Sequence, residues 1–232
     1  MRLAVIVPVL DEAAIIAERL AALAPLRAAG HMVIVVDGGS ADETVARARP
    51  LADVVLASSR GRARQMNAGA AAASGSDVLL FLHADTTLPA DAAPLIAAAL
   101  APPAHGIARV WGRFDVTIAG RSRWLPAVAA LMNARSRWSG IATGDQAIFV
   151  RADAFAAAGG FPEWPLMEDI GLSRLLKRIS RPAALRARVV TAGRRWDANG
   201  ALRTIALMWW LRLRFFLGAK PETLVASYTS VR

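Results

Sequence analysis

The 232-residue chain contains no cysteine. That excludes a disulfide framework, a thiolate nucleophile and any Cys-ligated metal, and it fits a reducing compartment. No apolar run reaches the roughly 18 residues that a membrane span requires. Acids are scarce toward the C-terminus: beyond Asp169 only Asp197 and Glu222 occur, while Arg and Lys recur throughout. There is no internal repeat and no low-complexity linker. The phosphate-binding signatures GxxxxGKS, GxxxxGKT and GxGxxG are also missing.

What is present narrows the class further. The net charge is +10 and the pI about 11.5, which points to an anionic partner such as a nucleoside diphosphate, a nucleic acid or an acidic lipid surface. A hydrophobic fraction of 55% is ample for a core, and 20% charged residues is unlike a disordered chain. The apolar stretch Leu3–Leu10 meets Asp11 and Glu12 at once, with no small-residue cleavage pattern after it, and reads as a first strand rather than a signal peptide.

Four β-rich runs stand in the first half: Leu3–Val9, Met32–Val36, Val54–Ala57 and Val78–Leu82. Helical segments separate them. Ile16, Leu20 and Leu23 fall at helical spacing, Ser40 to Glu43 resembles a capping box, and Arg62 to Ala73 is Ala-rich. Alternating strands and helices predict a mostly parallel sheet with helices on both faces. In such sheets ligands bind beyond the carboxyl ends of the strands, and here those ends carry Asp11-Glu12, Asp37 and His83-Ala-Asp85. For each turn alone, a capping role for Asp is the plainer explanation; three on one edge predict a site. In the second half, Val110–Thr117 and Ala147–Val150 read as strands, Trp124–Trp138 and Met167–Ile179 as helices.

Several residues suit chemistry. Asp85, followed by two threonines, fits a hard cation such as Mg2+ or Mn2+, with substrate phosphates supplying further ligands. His83 is either a second ligand or a hydrogen-bonding partner. Arg60, Arg62 and Arg64 flank Gly61 at a helix start, an arrangement that attracts anions when it is not simply a solvated face. Glu168 and Asp169 open a helix; adjacent carboxylates and burial raise one pKa, as a general base needs, although a plain N-cap has the same look. Trp138 and Trp164 are candidates for stacking on a sugar ring or for the core.

These pieces occur in a particular order: VIVPVLDE at Val5–Glu12, VDGGS at Val36–Ser40, GRARQMNAGA at Gly61–Ala70, LHADT at Leu82–Thr86, GDQAIFV at Gly144–Val150, GGFP at Gly159–Pro162 and MED at Met167–Asp169. In that order the chain resembles the family 2 glycosyltransferases of the GT-A fold over nearly its whole length. More narrowly it looks like a small bacterial subfamily found beside radical SAM genes and linked to arsenosugar biosynthesis.

The resemblance implies that Pro8, Leu10, Glu12, Asp37, Gly61, Arg62, Gln65, Asn67 and Ala84 serve the nucleotide-sugar donor, a UDP-sugar. It implies that Asp85, the last acid of the DxD motif, binds the metal, with His83 standing where the first acid belongs. Asp169, beside Glu168, matches the base of the ED motif. Gly144, Asp145, Gln146 and Trp164 fall to the acceptor, and Arg194 and Arg195 to the phosphates. The run Arg194-Arg-Trp196 lacks the Gln of the QxxRW motif, so a processive polymer synthase is not expected.

The expected protein is thus an inverting sugar transferase whose acceptor is a small molecule or lipid-linked, with no nucleic acid partner. Its GT-A domain spans 1–200, with a C-terminal apolar helix and tail at 201–232 in the same unit. It is expected in the cytoplasm, at the inner face of the membrane if the stretch 201–217 touches lipid. Two alternatives stand: a nucleotidyltransferase, which would want a Gly-rich basic loop where Asp11-Glu12 sits, and a non-catalytic binder of polyanions or anionic membranes.

Overall fold

The computed structural model describes residues 1–194, 197 and 200–229. Eight strands form one sheet: β1 Leu3–Val9, β2 Met32–Asp37, β3 Val54–Ala57, β4 Val78–Phe81, β5 Thr86–Thr87, β6 Trp111–Ala119, β7 Phe149–Arg151 and β8 Ala183–Ala192. Their spatial order is β3-β2-β1-β4-β7-β6-β8-β5. Parallel ladders join β3, β2, β1 and β4, and another joins β6 to β8. Only β7 and β5 run against the rest. The expected mostly parallel α/β sheet is therefore present.

The helices are α1 Ile16–Ala21, α2 Ala24–Ala28, α3 Thr44–Ala48, α4 Arg62–Ala72, α5 Ala92–Leu100, α6 Leu125–Ser139, α7 Ala152–Ala157, α8 Glu168–Lys177, α9 Ala201–Phe216 and α10 Pro221–Thr229. Strand alternation decides which face each side chain serves. Val5, Val7 and Val9 point to one face, where α1, α5 and α6 cover them with Leu20, Ile96 and Leu125. Ala4 and Ile6 point to the other, under Met66 of α4, Phe155 of α7 and Leu172 of α8. Helix α4 lies so close to the sheet that a Cβ on Gly69 would stand 2.4 Å from Ile6 Cγ2.

A buried ion-pair network fixes α6 to β6. Arg113, fully enclosed, bonds Asp115, whose other oxygen receives Arg137 at 2.6 Å. Breaking one member of such a group strands a buried charge. Helix α9 touches the sheet's core through Ile205 near its start. Its inner face, Leu207, Met208, Leu211 and Phe215, packs on Leu166, Met167, Ile170 and Leu224 in a separate cluster at the start of α8.

Candidate active site

The ends of β1 and β2 are sewn into one ledge. Asp11 donates its N–H to Ser40 Oγ at 2.9 Å and accepts Ala41 N–H at 2.8 Å, and Glu12 N–H reaches Thr44 Oγ1 at 2.8 Å. Asp37 is buried and closes its own turn, accepting the N–H groups of Gly39 and Ser40 at 3.0–3.1 Å. Neither acid caps a helix. The capping box expected from Ser40 and Glu43 does not form either: α3 starts at Thr44 with no side-chain cap, because Ser40 is taken by Asp11 and Asp37. Beneath the ledge the buried Gln65 donates to Val9 O and Val36 O, both at 2.8 Å. Asn67 bonds both backbone groups of Phe161, at 2.9 Å each. Gln65 and Asn67, expected beside the donor, thus clamp backbone beneath the ledge, Gln65 through its Nε2 alone. Pro8 and Leu10 are half-buried along the ledge, Ala84 is buried, and Gly61 opens α4.

Arg194 joins two of the expected acids. Its Nη2 lies 3.0 and 3.2 Å from the Glu12 oxygens and 3.6 Å from Asp85 Oδ2. Arg195 and Trp196 lie outside the described residues. Among the described residues the other side-chain contacts of the Asp85 carboxylate are long, 3.4 Å to Thr86 Oγ1 and 3.5 Å to Thr191 Oγ1. Its carboxylate therefore keeps lone pairs for a cation. Among the described residues no three His, Cys, Asp or Glu side chains gather to hold a metal; a divalent ion at Asp85 would have to take most of its ligands from phosphate oxygens.

His83, the other expected metal ligand, has a polar neighbour of its own. Its Nδ1 faces Asp145 Oδ1 at 3.2 Å. Its Nε2 is buried without a hydrogen-bond partner, and a Cβ on Gly144 would come within 2.3 Å of it. An ionised Asp145 only accepts, so Nδ1 carries a hydrogen. The imidazole also lines the cavity of the next group of residues.

That group surrounds Asp169, on the first turn of α8. Its carboxylate accepts Gly144 N–H at 3.0 Å and Ile170 N–H at 2.7 Å. Burial pushes its pKa up to about 6; the neighbouring charge of Glu168 adds to the rise, while the two N–H donors and Arg62 oppose it. Glu168 is buried, with Arg62 Nη1 at 3.6 Å. A cavity of about 10 Å3, room for one water, lies between Asp169, Glu168, Arg62, Gly144 and His83. A wider cleft of about 520 Å3 lies at the start of β4, the opposite end of that strand, where Arg151 pairs with Asp153 at 2.8 Å.

The outer wall is built from Gln146, Trp164 and the residues around them. Gln146, assigned to the acceptor, is fully buried and accepts Thr143 N–H at 3.2 Å, so it supports the turn that presents Gly144 N–H. Trp164 packs edge-on to Phe215, ring centroids 5.7 Å apart, and Trp138 is exposed on α6. Arg135 of α6 was not singled out by the sequence, since nothing in its spacing marks it. Burial lowers its pKa, Asp169's charge raises it, and its Nε and Nη2 are buried without partners.

Among the described residues only Asp11, Ala147 and Met167 combine a side chain with a left-handed backbone, at φ of 53°, 46° and 67°. One ends β1, one follows the Gly144–Gln146 turn and one precedes Glu168. Such conformations cost on the order of 1–3 kcal/mol each and gather where geometry serves chemistry.

The sequence model described as "Glycosyl transferase family 2" matches residues 4–155. No curated protein matches the chain. Among solved structures, the mannosyltransferase PcManGT from Pyrobaculum calidifontis, in complex with GDP-Man and Mn2+, is 22% identical, with 99% of this chain and 69% of that one covered and a TM-score of 0.66. The S. aureus TarS 1–349 structure is 17% identical, with coverage of 84% and 61% and a TM-score of 0.63. Glucosyl-3-phosphoglycerate synthase from Mycobacterium tuberculosis, in complex with Mn2+ and UDP-glucose, is 18% identical, with coverage of 82% and 70% and a TM-score of 0.59. The chain thus spans about three fifths of the TarS structure. At these identities the likeness is one of fold.

Proposed function

The chain belongs to the family 2 glycosyltransferases, and from that premise we propose that it moves a sugar from a UDP-sugar to an acceptor hydroxyl with inversion at the anomeric carbon. One observation carries the reading: Asp169, with a pKa raised to about 6, stands on the same side of the sheet as the ledge of Glu12, Asp37 and Asp85. A carboxylate of that pKa is ionised at neutral pH yet basic enough to take a hydroxyl proton.

The nucleoside would rest on the ledge at Glu12 and the Asp37 turn, and Arg62 and Arg194 would meet the diphosphate. Bound at Asp85, Mg2+ or Mn2+ would supply Lewis-acid neutralisation of the leaving diphosphate. Asp169 accepts the acceptor's proton at its carboxylate while the Gly144 and Ile170 N–H groups hold that carboxylate in place. The acceptor oxygen then attacks the anomeric carbon opposite the departing phosphate, in one displacement that inverts the centre. Arg135 balances the charge of Asp169 from the α6 side. The sequence motifs also place the chain, in our reading, in the subfamily associated with radical SAM genes and arsenosugars, working in the cytoplasm.

A panel of nucleotide-sugars, screened by thermal shift with and without Mn2+, tests this. A ligand that binds only the native state raises the melting temperature, by about 2.7 kcal/mol of stability at a hundredfold excess over Kd. A Mn2+-dependent shift with a UDP-sugar, followed by UDP release with an acceptor, is the expected result. Salt-sensitive binding of any polyanion, with no UDP release, would leave a non-catalytic binder instead.

A further inference from the structure

Helix α9 is apolar on both sides. Its inner face is occupied by the cluster around Leu166 and Ile170. Its outer face carries Trp209, Trp210, Leu213, Phe216 and Leu217, exposed by 66%, 44%, 57%, 61% and 79%. A helix covering a core normally turns polar residues outward, and an apolar row of this size facing water marks an interaction surface.

The arginines decide what it meets. In sequence they look misplaced, since Arg203 and Arg214 share a side while Arg212 falls opposite. At about 100° per residue the exposed row lies between them, with Arg203 and Arg214 along one edge and Arg212 along the other. Arg214 also stacks over Trp210 at 4.9 Å, and Arg174 of α8 covers Phe215 and Phe216 at 5.0 and 5.1 Å. An apolar strip edged by cations fits the boundary of an anionic bilayer, where Trp and Phe enter the head-group region and Arg meets phosphate. A second copy would set like charges against like, because beyond Asp169 the only acids are Asp197 and Glu222. No helix among the described residues is long and apolar enough to cross a membrane.

We propose that α9 docks the protein on an anionic lipid surface, its outer row of Trp209, Trp210, Leu213, Phe216 and Leu217 lying in the head-group layer and Arg203, Arg212 and Arg214 on lipid phosphates. This goes beyond the transferase reading and does not depend on it.

The test is co-sedimentation of the full-length protein with vesicles of phosphatidylcholine alone and of phosphatidylcholine with phosphatidylglycerol, at low and high salt. Pelleting with the anionic vesicles is expected. Leu213→Asp with Phe216→Asp should lower it at least tenfold, and Arg203→Gln and Arg214→Gln roughly fivefold each. Unchanged melting temperatures and an unchanged UDP-induced shift would show that the variants fold, since none of these residues belongs to the ledge or the base. Absence of pelleting overturns the proposal, as does equal pelleting of wild type and the double Asp variant. So does wild-type dimerisation, measured by light scattering, that the double variant abolishes, because the row would then cover a second copy.

Discussion

Burial makes a charge on Asp169 costlier in the folded chain than in the unfolded one, and two measurements expose that. Asp169→Asn should lower kcat by about 10²–10⁴ while a UDP-sugar still shifts the melting temperature; retained turnover would remove Asp169 as base. The same variant should be more stable than wild type. A raised carboxyl pKa means that the native state holds its proton more tightly than the unfolded state, so the native state loses ground as pH climbs from about 4 to about 6. The Asn variant's advantage should open over that window and level off above it, at about 1–3 kcal/mol. The rate should fall on the acid side of about pH 6. Glu168→Gln, by removing a neighbouring negative charge, should move that fall to lower pH. Asp85 and His83 separate in the same way: Asp85→Ala should abolish the Mn2+ response of donor binding, whereas His83→Ala should leave it and change turnover, since the imidazole faces Asp145 and lines Asp169's cavity.

At the scale of elements, the Gly144–Gln146 turn joins the His83 imidazole to Asp169, the proposed base. Gly144→Ala would drive a methyl into the His83 ring, so it should cost roughly 1–3 kcal/mol of stability and depress turnover through the displaced N–H on Asp169. Differential scanning calorimetry and a rate assay on one sample check both. Gly69→Val should lift α4 from Ile6 and cost at least as much. Much of this architecture was legible beforehand. The expected strands Leu3–Val9 and Val54–Ala57 match β1 and β3 at both ends: β1 is a buried parallel strand and so a continuous apolar run, and β3, at the sheet edge, is a short apolar run as well. Strand β8 went unseen: Arg186, Arg188 and Val190 are exposed and alternate with Ala187, Val189 and Thr191, and small or basic residues hide a period of two. The pairings of Gln65, Asn67 and Gln146 were equally hidden, since an amide that clamps backbone and one that touches a ligand look alike in sequence. What joins His83 to Asp145, 62 residues apart, is tertiary and has no local trace.

For the whole molecule, the six strands that share one direction set the ledge, and the residues past them set the reaction. The matched family region ends at residue 155, short of both Asp169 and Arg194. A net charge of +10 should speed the arrival of a doubly charged nucleotide. Stopped-flow association of a UDP-sugar is therefore expected to slow by about tenfold or more from low to high salt, and a flat salt response would make the charge irrelevant to the donor. Helix α8 adds a different constraint. It carries Asp169 near one end and, five residues on, Arg174 against the rings of Phe215 and Phe216. At 1.5 Å of rise per residue that is about 8 Å, so the helix spaces Phe216, on the row we propose to meet lipid, from Asp169, the proposed base. With that row on lipid as proposed, an acceptor hydroxyl borne close to a lipid head group would lie nearer Asp169 than one borne on a long glycan stem.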